Sequence, residues 1–374
     1  MPPTAPRSSG DNLTAVNNLS EAVPPIPTVT LSFIVISPFS TDLIFFIEYF
    51  VLGGNIVAKS IVCLHPLTKE QQEAIRKAAP GYTLALTDAK QPDLDILAEA
   101  EIVIGWTKGI SGRLLREGTP LRWVQSWSAG VEKLPLDRLE ERGIVLTNAS
   151  GVHAAPIAQV IFGFILLFVR NLHSAIRNQD RHLWSSDGNE SELTDKTAVI
   201  VGTGDIGGET ARIAKAFRMR TIGVRRLDDP LPGFDVMYTT SRLKEAVSEG
   251  DFVINTLPLT DKTRRLFDAS VFSAFKEGAY YINIGRGGTT DTGALVEALK
   301  NGRLRGAGLD VFETEPLSKD HPLWDMKQVI ITPHIAGLTD YYGDRLMDIF
   351  TENMKSYLAC GAPSKNVIDY GRQY

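Results

Sequence analysis

From residue 59 onward, short apolar runs alternate with longer stretches in which apolar residues recur every three or four positions. Runs of four to six β-branched or aliphatic residues bounded by turn residues are typical of buried strands, and the longer period is typical of helices. Regular alternation of the two is typical of a parallel sheet with helices on its faces. The pattern therefore predicts an α/β fold.

The predicted strands fall into two sets, separated by an apolar helical segment from Pro156 to Arg170. The first set, which ends near Gly151, is SIVCLH, AEIVIGW, LRWVQSWSAG and GIVLTNAS; the second is TAVIVG, RTIGVR, DFVINTLP, GAYYINIGR, GAGLDVF and QVIITPH. Thr68 is expected to open the helix TKEQQEAIRKAA, and Gly361 to end the helix TDYYGDRLMDIFTENMKSYLACG. The sequence predicts two Rossmann-like, doubly wound parallel-sheet domains.

Composition narrows the class of protein. The chain has 374 residues, of which 43% are hydrophobic and 22% charged, with a net charge of −5. These values are typical of globular domains, and without a dense Lys/Arg tract we expect no nucleic-acid partner. Cys63 and Cys360 fit no metal-ligand or redox spacing, so we expect no metal site and a reducing, cytoplasmic compartment.

The first 58 residues have a different composition. Residues 1–28 are rich in Pro, Ser, Thr and Asn with one basic residue, and are predicted to be disordered. Residues 29–52 are apolar, but Pro38, Asp42 and Glu48 interrupt them. A charge at the centre of a membrane helix costs about 3 kcal/mol, so buried strands or a packing helix are favoured over a membrane span. We expect no membrane association.

A glycine pattern follows the strand TAVIVG. Gly202, Gly204 and Gly207 form G-x-G-x-x-G directly after the strand and directly before a helical pattern, with Asp205 and Ile206 inside the loop. The first glycine permits the tight turn, the second lets a pyrophosphate approach the backbone, and the third lets helix and strand pack closely. The helix N-terminus supplies N–H groups for phosphates. This predicts a dinucleotide site.

Two arginines stand where an NAD-binding domain places a carboxylate. The ribose 2′-OH is commonly bound by Asp or Glu about 20 residues after the first glycine, and here that place holds Arg225 and Arg226. Guanidinium groups bind phosphate in bidentate fashion, which favours NADP. In the alternative, both arginines are solvated and Asp228 or Asp229 takes the ribose, so that NAD is used.

Three later segments each place reactive side chains just after a strand, where ligands sit in open α/β sheets. INIGRGG carries Arg286, GLDVFETEPL carries Asp310 and Glu315, and ITPHIAG carries His334. A fixed guanidinium can hold a carboxylate, and an imidazolium can give a proton to an oxygen that gains charge. A neighbouring carboxylate favours the protonated imidazole and orients it.

The phosphate loop, the segment INIGRGG with Arg286, DVFETEP and PHIAG follow one another in this order. The arrangement resembles that of the D-isomer-specific 2-hydroxyacid dehydrogenases, over about residues 59–370. The resemblance implies a catalytic set of Arg286, Glu315 and His334, in a cleft between two domains. It implies hydride transfer between a nicotinamide and a 2-oxo acid or D-2-hydroxy acid. The arginine pair resembles the NADP-using branch that reduces glyoxylate, hydroxypyruvate and broader 2-oxo acids.

The resemblance also implies binding residues and a domain division. A loop of the first domain, at Ser128, Ala129 and Gly130, would hold the substrate carboxylate through backbone N–H groups. Further cofactor contacts would come from Leu257, Pro258, Thr263, Ile284, Asp310 and Gly337. Residues 59–151 and 336–374 would form the substrate domain and 152–335 the dinucleotide-binding domain, after an extension of residues 1–58 without a counterpart. A homodimer is implied.

Other activities are compatible with parts of this pattern. Formate dehydrogenases of the same family pair their histidine with glutamine, so Glu315 argues against that chemistry. A phosphite dehydrogenase-like enzyme would use the same motifs. A corepressor-like protein of this fold would keep them too and use dinucleotide binding to control assembly. Turnover of a 2-oxo acid separates the 2-oxo acid reductase from the corepressor-like protein.

Overall fold

The computed structural model describes residues 59–131, 133–186, 188 and 190–371. The predicted extension of residues 1–58, with its apolar segment, lies outside the described residues. The strands are β1 (Ser60–Cys63), β2 (Thr83–Leu86), β3 (Ile102–Ile104), β4 (Trp123–Gln125), β5 (Val145–Thr147), β6 (Thr197–Val201), β7 (Arg220–Arg225), β8 (Val236–Thr239), β9 (Phe252–Asn255), β10 (Ala279–Asn283), β11 (Leu304–Leu309) and β12 (Val329–Ile331).

The helices alternate with the strands, as the sequence pattern predicts. They are α1 (Lys69–Ala78), α2 (Leu94–Ala98), α3 (Ser111–Leu114), α4 (Leu136–Glu141), α5 (Ala154–Val169), α6 (Leu172–Gln179), α7 (Asp205–Ala216), α8 (Leu243–Glu249), α9 (Ala269–Ser273), α10 (Thr292–Lys300) and α11 (Tyr342–Cys360). Thr68 caps α1 by accepting a hydrogen bond from the Gln71 N–H, and Gly361 ends α11 in the left-handed conformation. Both helix boundaries are as predicted.

The first sheet is parallel and has the strand order β2-β1-β3-β4-β5. Successive side chains of β1 point to opposite faces: Ile61 packs in a core with α1 and α11, and Val62 packs with α2, α3 and α4. Apolar helices therefore cover both faces, as a parallel sheet requires.

The second sheet is also parallel, in the order β12-β11-β10-β9-β6-β7-β8. One face packs against α5 and α7 through residues such as Ile200 and Phe164, and the other packs against α8, α9 and α10 through Val199. The order reverses between β6 and β9, which is where dinucleotides bind in such sheets. The predicted α/β class with two doubly wound parallel sheets is confirmed.

The chain passes between the sheets in two segments. It leaves the first sheet after β5 and returns after β12, where α11 packs against the first sheet through Leu346 and Phe350. Beyond α11, Val367 bridges to Thr147, and the Asn148 N–H donates to the Asn366 carbonyl at 3.1 Å. The exact domain limits given above stay a prediction.

Among the described residues, no single helix is long and apolar enough to cross a membrane. Helices α5 and α6 reach that length and hydropathy only when taken together, across a bend of 76°. Ile161 and Ile165 of α5 are fully buried in the core beneath the second sheet. The apolar character of α5 is therefore used in packing within the chain.

Candidate active site

The phosphate loop needs two of its glycines for steric reasons. Gly202 has φ +102°, and a Cβ there would lie 2.5 Å from Oγ1 of Thr256. A Cβ on Gly207 would lie 2.1 Å from the carbonyl oxygen of Gly202, so helix and strand could not approach as they do. A Cβ on Gly204 would meet nothing within 4 Å. Gly204 therefore leaves space beside the backbone open to a ligand.

Helix α7 presents donors to that space. The Gly208 N–H donates to the Gly204 carbonyl at 2.8 Å, which is the first hydrogen bond of the helix. Within the described part of the chain, the N–H groups of Asp205, Ile206 and Gly207 have no acceptor. Three free donors at the positive end of a 12-residue helix fit a pyrophosphate.

The arginine pair stands at the carboxyl end of β7, beside β6 in the same sheet. Arg225 is the last residue of the strand, and within the described residues its guanidinium has no hydrogen-bond or salt-bridge partner. Arg226 is exposed. The pKa of Arg242 is raised by a hydrogen bond to Glu245 and by the nearby charge of Asp228. Asp228 therefore lies close enough to Arg242 for the two charges to interact.

Arg286, Glu315 and His334 line one cavity of about 720 Å³. The His334 Nδ1–H donates to Oε2 of Glu315 at 2.7 Å, and the Phe312 N–H donates to Oε1 at 2.9 Å. Burial would raise the pKa of Glu315, but the hydrogen bonds from His334 and Phe312 and the charges of His334 and Arg286 hold that pKa below its ordinary value. Glu315 is therefore a carboxylate at neutral pH.

Asp310 organises the backbone around His334. Its carboxylate is 1% exposed and accepts hydrogen bonds from the Thr332 hydroxyl at 2.6 Å, the Ile335 N–H at 2.9 Å and the Ala336 N–H at 3.0 Å. His334 itself has φ +54°, a strained conformation for a residue other than glycine. The three hydrogen bonds hold that turn, so the imidazole faces the cavity with Nδ1 engaged and Nε2 available.

The loop of Arg286 is fixed by close backbone packing. A Cβ on Gly287 would lie 1.8 Å from the carbonyl carbon of Phe312, and one on Gly285 would lie 2.5 Å from the Leu257 oxygen. The Arg286 side chain donates from Nη1 to the carbonyl of Gly285 at 2.8 Å. The absence of a side chain at Gly287 lets the loop of Arg286 approach the segment that carries Glu315, and its absence at Gly285 lets the loop approach the segment that follows β9.

The predicted substrate loop lies outside that cavity. Ser128 and Ala129 are held by their carbonyls, which accept hydrogen bonds from the Ala149 N–H at 3.1 Å and from Nδ2 of Asn148 at 2.7 Å. Gly130 is exposed. Trp127, just before them, stacks on His65 with ring centroids 4.0 Å apart. The role of this loop stays a prediction.

The remaining predicted cofactor contacts lie on the same edge of the second sheet. Leu257 and Pro258 follow β9, and Ile284 follows β10. Oγ1 of Thr263 donates to the Pro258 carbonyl at 2.7 Å, which closes the loop between them. The carbonyl of Gly337 lies 2.9 Å from Nδ1 of His153. Their contacts to a cofactor stay predictions, as does that of Asp310.

A family model described as the NAD binding domain of D-isomer specific 2-hydroxyacid dehydrogenases matches residues 162–336. Glyoxylate/hydroxypyruvate reductase B from Escherichia coli is 34% identical over 251 residues, which are 65% of this chain and 77% of the relative. The chain belongs to the D-isomer specific 2-hydroxyacid dehydrogenase family. The predicted family is thus confirmed, and the protein is a dehydrogenase with an NAD-binding domain.

Two further members of the family illustrate its range. D-3-phosphoglycerate dehydrogenase from Methanocaldococcus jannaschii is 31% identical over 299 residues, which are 78% of this chain but only 55% of that relative. The crystal structure of the NADPH-dependent glyoxylate/hydroxypyruvate reductase from Sinorhizobium meliloti, in complex with NADP and sulfate, is 26% identical. It covers 84% of this chain and 100% of that one with a TM-score of 0.65.

Sequence reasoning missed several residues at the site of this dehydrogenase. Arg264, Arg265 and Glu313 line the same cavity as the three candidate catalytic residues. The pair of arginines directly follows Thr263, which the resemblance assigns to the cofactor, so its position was a visible signal. His153 was not among the predicted site residues, and its contact with Gly337 joins the two segments that connect the sheets. That contact depends on tertiary structure and had no sequence signal.

Proposed function

We propose that this dehydrogenase reduces small 2-oxo acids to D-2-hydroxy acids, with NADPH as the preferred cofactor. The observation that carries the proposal is the 2.7 Å hydrogen bond between Glu315 and His334 in a cavity that also holds Arg286. A cation, a proton donor and an orienting carboxylate are the groups that reduction of a 2-oxo acid needs.

Arg286 binds the substrate in this proposal. A 2-oxo acid carries a carboxylate next to its ketone, and a guanidinium offers parallel N–H donors to both oxygens of such a pair. The close packing around Gly285 and Gly287 keeps the backbone of Arg286 rigid, so little entropy is lost when substrate binds. A fixed cation also stabilises the negative charge that develops on the carbonyl oxygen.

His334 supplies the proton. The nicotinamide dinucleotide that the phosphate loop would hold would supply a hydride, with its two electrons, for the carbonyl carbon. Nε2 of His334 donates a proton to the carbonyl oxygen, so one C–H and one O–H bond replace the π bond of the carbonyl group. Glu315 stays ionised and accepts from Nδ1, which fixes the ring and stabilises the imidazolium before transfer. Solvent returns the proton to His334 afterwards.

The phosphate loop would hold the pyrophosphate through the N–H groups of Asp205, Ile206 and Gly207. Arg225, which has no partner among the described residues, supports NADP, because a 2′-phosphate would bind a guanidinium at the end of β7. The neighbouring Arg226 would add a second cation.

A homodimer is a second part of the proposal. Helix α6 has no buried residue, and its Leu172 and Ile176 are 45% and 55% exposed. Leu183 and Trp184, just beyond the helix, are 54% and 105% exposed. Several exposed apolar side chains within one short segment favour an interface between proteins. Light scattering after gel filtration tests this, and a monomer that stays monomeric at 50-fold higher concentration would exclude it.

The direct test of the function is a matrix of initial rates. NADPH and NADH are each combined with glyoxylate, hydroxypyruvate, pyruvate and an aromatic 2-oxo acid, for the wild-type protein and for His334→Ala. We expect reduction by the wild type, faster with NADPH, and a loss of at least about 100-fold in the variant with NADPH binding retained. Absence of reduction with every pair would favour a dinucleotide-binding protein without turnover.

A further inference from the structure

The cavity around His334 contains one more cation than a simple 2-oxo acid would use. Three arginines line it, Arg264, Arg265 and Arg286. The Arg265 guanidinium is neutralised by Glu313, at 3.1 Å, and lies 3.9 Å from Asp291. In the proposed function, Arg286 binds the carboxylate beside the ketone. Neither Glu313 nor this substrate carboxylate is assigned to Arg264.

Arg264 has no internal partner that explains its presence. Within the described residues its side chain makes no hydrogen bond and no salt bridge, and the residue is exposed. The two carboxylates of the cavity are already occupied. Glu315 accepts from His334 and Phe312, and Glu313 accepts from Arg265 and from the Thr292 N–H at 3.0 Å. The cavity therefore has an uncompensated positive charge at Arg264.

The backbone that presents Arg264 is held on both sides. Its own N–H donates to the Thr260 carbonyl at 2.9 Å, and the next N–H, of Arg265, donates to the Gly288 carbonyl at 2.9 Å. Two residues later, the Phe267 N–H donates to the Thr289 carbonyl at 3.0 Å. These hydrogen bonds tie the segment to the loop that carries Arg286, so the backbones that carry Arg264 and Arg286 keep a fixed relation beside one cavity.

We propose that Arg264 forms a second anion subsite, which selects 2-oxo acids whose side chain carries its own anionic group, either a carboxylate or a phosphate. This inference rests on the proposed function, because it takes Arg286 as the partner of the first carboxylate. Two guanidinium groups that face one cavity suit a substrate with two anionic ends. A cavity of about 720 Å³ has room for such a side chain.

The test compares matched substrates that differ only in charge. 2-Oxoglutarate is paired with 2-oxopentanoate, and 3-phosphohydroxypyruvate with hydroxypyruvate. We expect the full chain to favour the charged member of at least one pair by kcat/KM, and the favoured pair identifies carboxylate or phosphate. Arg264→Gln should lower that ratio about five- to tenfold, a modest effect because the group is exposed. Arg264→Lys should keep most of the preference for the charged substrate.

Lys262→Gln is the control, since Lys262 is an exposed cation two residues away that does not line the cavity. It should leave both ratios unchanged. Unchanged ratios in Arg264→Gln would overturn the subsite. An equal rise of the KM for NADPH with all four substrates would also overturn it, because Arg264 would then serve the cofactor. Thermal melting of each variant excludes loss of fold.

Equilibrium binding keeps the two proposals distinguishable. Calorimetry of 2-oxoglutarate and 2-oxopentanoate with the wild type and both Arg264 variants, in the presence of NADP, measures the subsite without turnover. Tighter binding of the diacid that depends on Arg264, together with no reduction of any substrate, would overturn the proposed function and leave the anion subsite standing. Reduction of glyoxylate, with no difference between the charged and uncharged member of either substrate pair, would overturn the anion subsite and leave the proposed function standing.

Discussion

The buried carboxylate of Asp310 accepts a hydrogen bond from the Ile335 N–H at 2.9 Å, directly after the candidate proton donor His334. The same carboxylate accepts from Thr332 on the other side of the histidine. One side chain at the end of β11 therefore clamps the turn that aims the imidazole. This explains how His334 can keep φ +54° on an exposed loop.

Asp310→Asn is expected to disturb this turn. The amide offers NH₂ where the carboxylate accepted, so at least one buried donor loses its acceptor, at a cost of about 2 kcal/mol in the free energy of unfolding. A shift of His334 by a fraction of an ångström would lower kcat about 10- to 100-fold. Urea unfolding and initial rates measure both effects.

Thr332→Val should have a smaller effect than Asp310→Asn. It removes one of the three hydrogen bonds to Asp310 and should lower the free energy of unfolding by about 1 kcal/mol. If Asp310 instead contacts the cofactor, as the sequence predicts, Asp310→Asn should have a different effect. If Asp310→Asn raised the KM for NADPH while kcat and stability stayed as in the wild type, Asp310 would act on the cofactor and its role as a clamp would be wrong.

Glu315→Gln should lower the rate of reduction and change the acid stability. The neutral amide no longer stabilises the imidazolium by its charge, so kcat should fall about tenfold or more. Because the folded pKa of Glu315 lies below its ordinary value, its carboxylate stabilises the native state above that ordinary value. This stabilisation is lost as the pH falls through the lowered pKa.

Initial rates at neutral pH test the first effect, and urea unfolding at several acidic pH values tests the second. The difference in unfolding free energy between wild type and Glu315→Gln should shrink as the pH falls. A difference that stays constant, with an unchanged kcat, would show that the charge of Glu315 neither stabilises the fold nor acts on His334.

Two glycines of the phosphate loop, and Gly208 beside them in α7, should respond differently to alanine. Gly207→Ala places a methyl group 2.1 Å from a backbone oxygen and should destabilise the fold by about 3 kcal/mol. Gly204→Ala meets no protein atom and should cost at most about 1 kcal/mol, yet weaken cofactor binding at least about tenfold. Gly208→Ala, inside α7, should stabilise by up to about 1 kcal/mol.

Melting temperatures and fluorescence titrations with NADPH separate these outcomes. Gly208→Ala serves as the control for an added methyl group on the same helix and should bind NADPH as the wild type does. Unchanged affinity in Gly204→Ala would mean that the pyrophosphate does not pass next to that residue, and the predicted cofactor position would have to change.

The preference for NADPH should depend on the end of β7. Arg225→Gln with Arg226→Gln removes two cations and is expected to lower the ratio of kcat/KM for NADPH over NADH at least tenfold, chiefly through KM for NADPH. Arg220→Gln, at the other end of the same strand and paired with Glu249 at 2.8 Å, is the matched control. A ratio that stays constant in the double variant would leave the arginines without a role in cofactor choice.

Much of this site could be predicted because its reactive residues lie in short local sequence motifs. The phosphate loop needs small residues at fixed spacing, and Arg286, Glu315 and His334 each follow a strongly apolar strand. Parallel strands bring their carboxyl ends to one edge, so three distant segments were expected to meet there. The strands β2 and β8 were missed because they are short edge strands with mixed burial, which carry little hydrophobic period.

Other features had no local signal. Asp310 had been assigned from resemblance to a cofactor contact, and its three hydrogen bonds around His334 appear only when β11 and β12 are neighbours. The surplus charge at Arg264 depends on which carboxylates are already paired, and pairing is a property of the folded chain. Sequence alone identified the reactive side chains, and the structure was needed to show how they are held.

The return of the chain to its first sheet has a consequence for folding during synthesis. Leu346, Phe350 and Met354 of α11 complete the core beneath β1 and β3, although the ribosome makes α11 about 280 residues after β1 and about 240 residues after β3. The first sheet must therefore wait, with one apolar face covered only by α1, while the whole second sheet is made and folds. We expect the nascent first sheet to be the part of this protein that chaperones bind.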